Sequence, residues 1–368
     1  MKKSYFSREI SDALKGIALI LMFVHHFFTF PDWITCGVEY PWIQDFTKYF
    51  CAPTDICVSL FAFLTGYFYA FSRGKLGHSL NKITDFLLSY WLVAIPLTAL
   101  AALTGCYTLS RSVVLELVGL RNAVMTFCWY VYFYCIVMLV LPVLARRDSR
   151  SPVMDVFVLL VVPAVVLNVW EARDFQPLRH AIAWNLRQWF PCVAVGFLFG
   201  RYGLFETWFD RFFPENAGKG RRAVVYALMV WAAFRGRYFI EGLYPGTVTF
   251  RSSDYPIMLT EDVIFAPLFL YGAANLLKMA KGAVVTVLGK IGRKSMLMWF
   301  YHCVFFNCCA SFTQKILYFP RNPVLVLLNG LILCYFAAAL TEPVRRLVLK
   351  WKNAVFAWFA GKLPVKSV

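Results

Sequence analysis

The sequence predicts an all-α polytopic membrane protein of about ten transmembrane helices, with N- and C-termini in the cytoplasm. Three observations carry that expectation. Of 368 residues, 60% are hydrophobic and only 15% are charged, where a soluble chain of this length carries about 25%. Apolar runs of spanning length recur from one end of the chain to the other. The cations gather in alternate connections. With the N-terminus inside, 25 of the 37 Lys and Arg fall in inside segments and 9 in outside ones, the asymmetry of the positive-inside rule.

The runs follow in order. The first, at about 14–30, comes after Lys2, Lys3 and Arg8 and so has the flanks of a signal peptide. No small-x-small cleavage site follows it, and it ends among Phe and Trp, so it is expected to stay as the first span. The long outer segment Pro31–Phe50 leads to a second run at 51–71. The cluster Arg73, Lys75 and Lys82 precedes the third at 83–104, and a fourth lies at 124–145. Arg146, Arg147 and Arg150 turn the chain into the fifth at 153–170; the sixth, at 188–204, is among the shortest. The inner segment Phe205–Arg222 leads to the seventh at 223–243, and the last three are 257–277, 294–312 and 323–342. The tail from Pro343 is basic and carries Trp351, Phe356 and Trp358, the composition of a helix lying on the cytoplasmic leaflet. Two regions are therefore expected, a ten-helix domain over 1–345 and the tail over 346–368.

This pattern excludes several classes. The formal charge of +17 could suggest nucleic acid, but the cations sit in short clusters between apolar runs, with no aromatic-interleaved basic stripe. The 11 cysteines include no C-x-x-C pair, so neither a zinc site nor a disulfide framework is supported, and no bound metal or cofactor is expected. The connections leave no room for a second soluble domain. No internal repeat is visible, which weighs against many transporter architectures.

Ionisable groups inside an apolar span are costly and by default functional. The first span carries Lys15 and His26, eleven positions apart, about three helical turns, so they lie nearly on one face with a rise of about 16 Å. His25 points about 80° away. Lys15 falls at the inner edge and His26 about halfway across. Asp12 shares the face of Lys15 by its three-residue spacing. The seventh span holds Arg235, Arg237 and Glu241, with Arg235 roughly 20 Å in from Arg222. Snorkelling to the outer interface or a cavity-lining role with Glu241 as partner would each account for them. His302 sits mid-span in the ninth run. Trp129 and Tyr130 fit either an aromatic belt or a sugar-stacking surface, whereas Glu171, Arg173 and Asp174 read as solvated loop charge.

The first span, S-D-A-L-K-G-I-A-L-I-L-M-F-V-H-H-F-F, resembles the opening of the membrane-bound acyltransferase-3 family, with its basic residue, ten intervening residues and a His. Ile56–Tyr67 (I-C-V-S-L-F-A-F-L-T-G-Y), Cys128–Tyr134, Trp189–Phe205 and Leu288–His302 (L-G-K-I-G-R-K-S-M-L-M-W-F-Y-H) are similar to later family segments, in the family's order. Lys15 stands where the family more often has Arg. In the third helix the family's basic pair three apart is reduced to Lys82, with Asp85 in the second place.

The resemblance implies transfer of an acyl group, commonly acetyl, from cytoplasmic acyl-CoA to a hydroxyl of an extracytoplasmic or lipid-linked carbohydrate, in the cell membrane. It assigns His26 to catalysis, with His25 beside it. Lys15 is assigned to the donor side, with Lys82 as a further donor residue; by its spacing Asp12 is a donor-side candidate that would orient Lys15, or an exposed interfacial carboxylate. The acceptor-side candidates are Arg235, Arg237, Glu241, His302, Trp129 and Tyr130. An imidazole could take the hydroxyl proton as attack proceeds, or accept the acyl group first. The rival expectation is a secondary transporter of a polysaccharide or small anionic solute, using Lys15, His26 and Arg235 as its path.

Overall fold

The computed structural model describes residues 4–30, 33–36, 51–72, 76–121, 123–144, 151–171, 177–212, 218–243, 261–280 and 282–362. All regular structure among them is helical: α1 (Arg8–Phe28), α2 (Ile56–Tyr69), α3 (Leu76–Leu103), α4 (Val113–Leu117), α5 (Tyr130–Leu144), α6 (Pro152–Val156), α7 (Val162–Glu171), α8 (Pro177–Tyr202), α9 (Asp210–Phe212), α10 (Lys219–Leu243), α11 (Asp262–Met279), α12 (Gly282–His302), α13 (Ala310–Tyr318) and α14 (Pro323–Lys362). Where they are described, the ten predicted apolar runs lie mainly on helix, but 124–129 forms bends and turns, and 145 and 257–260 lie outside the described residues. Among the described residues, four helices are long and apolar enough to cross a membrane: α1, α3, α11 and the Pro323–Trp358 part of α14. A fifth arises if the bent pair Gly282–Phe306 and Ala310–Tyr318 is one span.

The chain forms two compact units, Met1–Ser79 with Phe133–Ser295, and Leu80–Tyr132 with Met296–Val368. In the first, α1 begins where Ser7 accepts a hydrogen bond from the Ile10 amide, meeting one of the orphan donors of a helix start. Just before it, the Tyr5 amide donates to the Tyr67 hydroxyl at 2.9 Å. The Tyr5 hydroxyl donates to Asp210 at 3.1 Å, and burial raises the Tyr5 phenol above its ordinary pKa. Asp210 also accepts from Tyr271 at 2.7 Å. An aromatic core of Phe63, Tyr67, Phe205 and Tyr271 fills the space behind this strap. Helices α2 and α8 touch backbone to backbone: a Cβ on Gly66 would collide with the Val193 carbonyl, and one on Gly196 with that of Phe63. The buried Asp155 of α6 pairs with Arg201 at 3.1 Å and accepts from Tyr202 at 2.7 Å, which ties α6 to the end of α8.

In the second unit, α3 is held by its indole and phenol: Tyr90 donates to the Glu116 carbonyl and Trp91 to the Leu117 carbonyl, both at 2.7 Å. The Glu116 carboxylate accepts from the Ala123 and Val124 amides. The ninth predicted run does not continue straight. After His302 the chain tightens into a 3₁₀ turn at Cys303–Phe306, Asn307 is extended, and α13 leaves at 113°. The Asn307 side chain accepts from the Cys309 amide at 2.8 Å, which stabilises the new start.

The tail boundary expected at 345/346 is not a break in the helix, because α14 runs for 40 residues. That is about 60 Å, roughly twice a hydrocarbon core. Along it Leu328, Ile332, Phe336, Leu340, Leu347 and Trp351 are all exposed, an outward apolar stripe at helical spacing.

Candidate functional site

Helix α1 runs unbroken from Arg8 to Phe28, so Lys15 and His26 stand on one rigid rod. At the Lys15 end, Asp12 accepts from the Lys15 ammonium at 3.3 Å. The Asp12 side chain is 11% exposed and that of Lys15 35%, so the carboxylate is buried and the cation reachable. The second oxygen of Asp12 faces Arg293 of α12, with Nη1 at 3.8 Å. This meeting depends on glycine. A Cβ on Gly292 would collide with the Asp12 carbonyl, and one on Gly16 with the Leu288 carbonyl. The α1 and α12 backbones therefore touch where the carboxylate sits.

At the other end of α1, the last turn carries His25 and His26. Both are half-buried, with ring centroids 5.4 Å apart. His25 Nδ1 and Thr29 Oγ1 lie within hydrogen-bond distance at 3.3 Å, and Phe30 meets the His25 ring edge-on at 5.2 Å. This turn packs on the 3₁₀ turn Ala52–Asp55, which delivers Asp55.

Asp55 stands at the N-cap of α2 but makes no cap bond; its carboxylate reaches Arg237 of α10 instead. Arg237 is fully buried. Its Nη2 donates to one Asp55 oxygen at 3.0 Å and Nη1 to the other, while Nε donates to Asp262 at 2.8 Å. Glu261, at the N-cap of α11, lies 3.7 Å from Nε, and Ser59 donates to the second oxygen of Asp262. Two helix N-termini thus converge on one guanidinium, each bringing carboxylates that its own dipole favours. Three carboxylates face one Arg. Arg237 does not snorkel: it is held inside. Arg235 is half-buried. The Glu241 side chain lies outside the described residues.

The remaining candidates belong to the second unit. Lys82 is exposed on α3. Asp85, three residues on, accepts from Lys352 of α14 at 2.5 Å, as does Asn81 at 2.5 Å. His302 is fully buried, stacked on Phe127 with centroids 5.9 Å apart and an interplanar angle of 15°; its Nδ1 bonds the Trp299 carbonyl. Trp129 and Tyr130 are half-buried, and Tyr130 meets Trp299 edge-on at 5.8 Å.

The structure thus brings Asp12 and Lys15 together and buries Arg237 and His302 in packed surroundings. Sequence reasoning missed Asp55, Glu261, Asp262, Arg293 and Lys352. A signal for three of them was present: Asp55 falls inside the predicted second span and Glu261 and Asp262 inside the eighth, the same anomaly that singled out Lys15.

No curated protein and no solved structure matches the chain. The family model described as an acyltransferase domain, that of acyltransferase family 3, matches residues 9–358. That stretch takes in all of α1 beyond its first residue, both ion clusters and α14 as far as Trp358. The chain belongs to the acyltransferase-3 family, and with its long apolar helices it is a membrane acyltransferase.

Proposed function

We propose that the protein transfers an acyl group, acetyl by preference, from cytoplasmic acyl-CoA to a hydroxyl of an extracytoplasmic or lipid-linked carbohydrate in the cell membrane. The observation that carries this reading is the unbroken α1, with a carboxylate-held Lys15 at one end and an imidazole pair at the other. The separation of about 16 Å fits a donor entering from one side and an acceptor from the other. Ten spans with both termini cytoplasmic go with this reading, supported by the mainly helical state of the described parts of the runs and by the cation asymmetry.

In this mechanism Lys15 holds an anionic or carbonyl group of the donor as a point charge. His26 removes the acceptor hydroxyl proton as the oxygen attacks the thioester carbonyl. The C–O bond forms, the C–S bond breaks, and CoA leaves as the thiolate, which recovers the proton from the imidazolium. The polar cluster around Arg237 lines the acceptor side, Asp55 being its most exposed member at 23%.

Mass spectrometry of surface glycans from cells with and without the protein tests this reading. A gain of one acyl unit in the presence of the protein is expected, together with stabilisation of purified protein by CoA. Unchanged glycans and no response to CoA would sink it in favour of a transporter.

A further inference from the structure

The Asp12 carboxylate serves two cations from two helices, Lys15 at 3.3 Å and Arg293 at 3.8 Å. One buried negative charge facing two positive ones leaves a net positive charge. Both cationic side chains are open to an approaching ligand, Lys15 at 35% and Arg293 at 51% exposure. The Arg293 guanidinium lies over Gly289, whose added Cβ would sit 3.5 Å from Nη1 and 4.0 Å from the Asp12 Cβ. Lys290 is exposed one turn back on α12.

We propose that Arg293 is a second donor-binding residue, gripping a phosphate of acyl-CoA beside Lys15. The proposal rests on the acyl-CoA reading above. A guanidinium presents a planar fork that matches two phosphate oxygens, which an ammonium cannot do. An Arg293–Asp12 separation of 3.8 Å is a loose pair that a phosphate can displace without stranding the carboxylate, because Lys15 still holds it. Asp12 pre-sets the two cations, and the Gly292 contact keeps α1 and α12 close enough for both to reach one anion.

The experiment is titration of the purified full-length protein with CoA, at low and moderate salt, for the parent, Arg293→Ala, Arg293→Lys and Lys15→Ala. Arg293→Ala is expected to weaken CoA binding by about tenfold and to flatten its salt dependence, with Arg293→Lys recovering only part. Unliganded melting temperature is expected to stay close to the parent. Repeating the titration with dephospho-CoA identifies the group held: an Arg293 effect that vanishes assigns the 3′-phosphate, one that persists the pyrophosphate. Parent-like CoA affinity in both Arg293 variants would overturn the proposal, and a fall in unliganded melting temperature alongside it would make Arg293 only a helix tie. If the parent itself fails to bind CoA, the acyl-CoA reading falls, and this proposal with it.

Discussion

Arg237 and Asp55, 182 positions apart in the chain, form a two-point ion pair in which Nη2 donates to Oδ2 at 3.0 Å and Nη1 to Oδ1. Removing the guanidinium strands Asp55, Glu261 and Asp262 without their cation. Arg237→Ala is expected to destabilise the protein by about 3–5 kcal/mol, the cost of breaking a buried pair from one side. Arg237→Lys should recover only part, since one ammonium cannot hold both Asp55 oxygens and Asp262. Thermal melting of the purified variants checks this, and an Ala variant that melts like the parent would refute it.

His26→Ala is expected to lower acyl transfer by about 10²–10⁴-fold, the range of a positioned general base, while His25→Ala retains part of the activity. Transfer of labelled acetyl from acetyl-CoA to membrane glycans is the readout. Full activity in the His26 variant would remove that residue from the mechanism.

Gly292→Ala is expected to force α1 and α12 apart, because its Cβ would run into the Asp12 carbonyl. Overpacking of this kind costs about 1–3 kcal/mol. Gly289→Ala, whose Cβ would meet only Arg293 Nη1 at 3.5 Å and the Asp12 Cβ at 4.0 Å, is expected to be tolerated. Melting temperatures of the pair distinguish backbone contact from a general intolerance of alanine in α12.

Lys352, 8% exposed, ties α14 to α3 through Asn81 and Asp85. Lys352→Ala is expected to cost about 1.5–3 kcal/mol, the scale of hydrogen bonds to a charged group. It should also make the tail more readily cleaved by protease. Asp85→Asn leaves Lys352 two neutral acceptors and should cost less. Limited proteolysis with mass readout ranks the two variants.

His302→Ala is expected to act through packing. The imidazole fills a fully buried position against Phe127 and bonds the Trp299 carbonyl. Truncation leaves a cavity worth about 2–5 kcal/mol by analogy with large apolar side chains, whereas His302→Phe should restore most of the melting temperature. Loss of activity in a His302→Phe variant that melts like the parent would instead give the imidazole a chemical role.

The helical class and the Lys15–Asp12 pair were legible in the sequence because both depend on local periodicity: apolar runs make helices, and a three-residue spacing makes a contact on one face. Arg237 stood out as a cation in a span, but its pairing did not, because Asp55 and Asp262 reach it only through the packing of three helices. Its described partners come from two other helix starts. The bend after His302 was hidden for a similar reason: hydropathy continues through Cys303–Phe306 while the backbone turns. Asp85 looked like a broken basic pair, although its cation arrives from α14, far beyond any local window.

The pairing of Asp55 with Arg237 also sets a timetable for making the protein. At about 5–20 residues per second, the 182-residue separation means that Asp55 is synthesised about 9–36 s before its cation. Throughout that interval the first turn of α2 carries a carboxylate with no guanidinium to meet it, beside an apolar helix only 14 residues long. A nascent chain halted before Arg237 therefore carries this carboxylate without the cation that holds it in the folded protein.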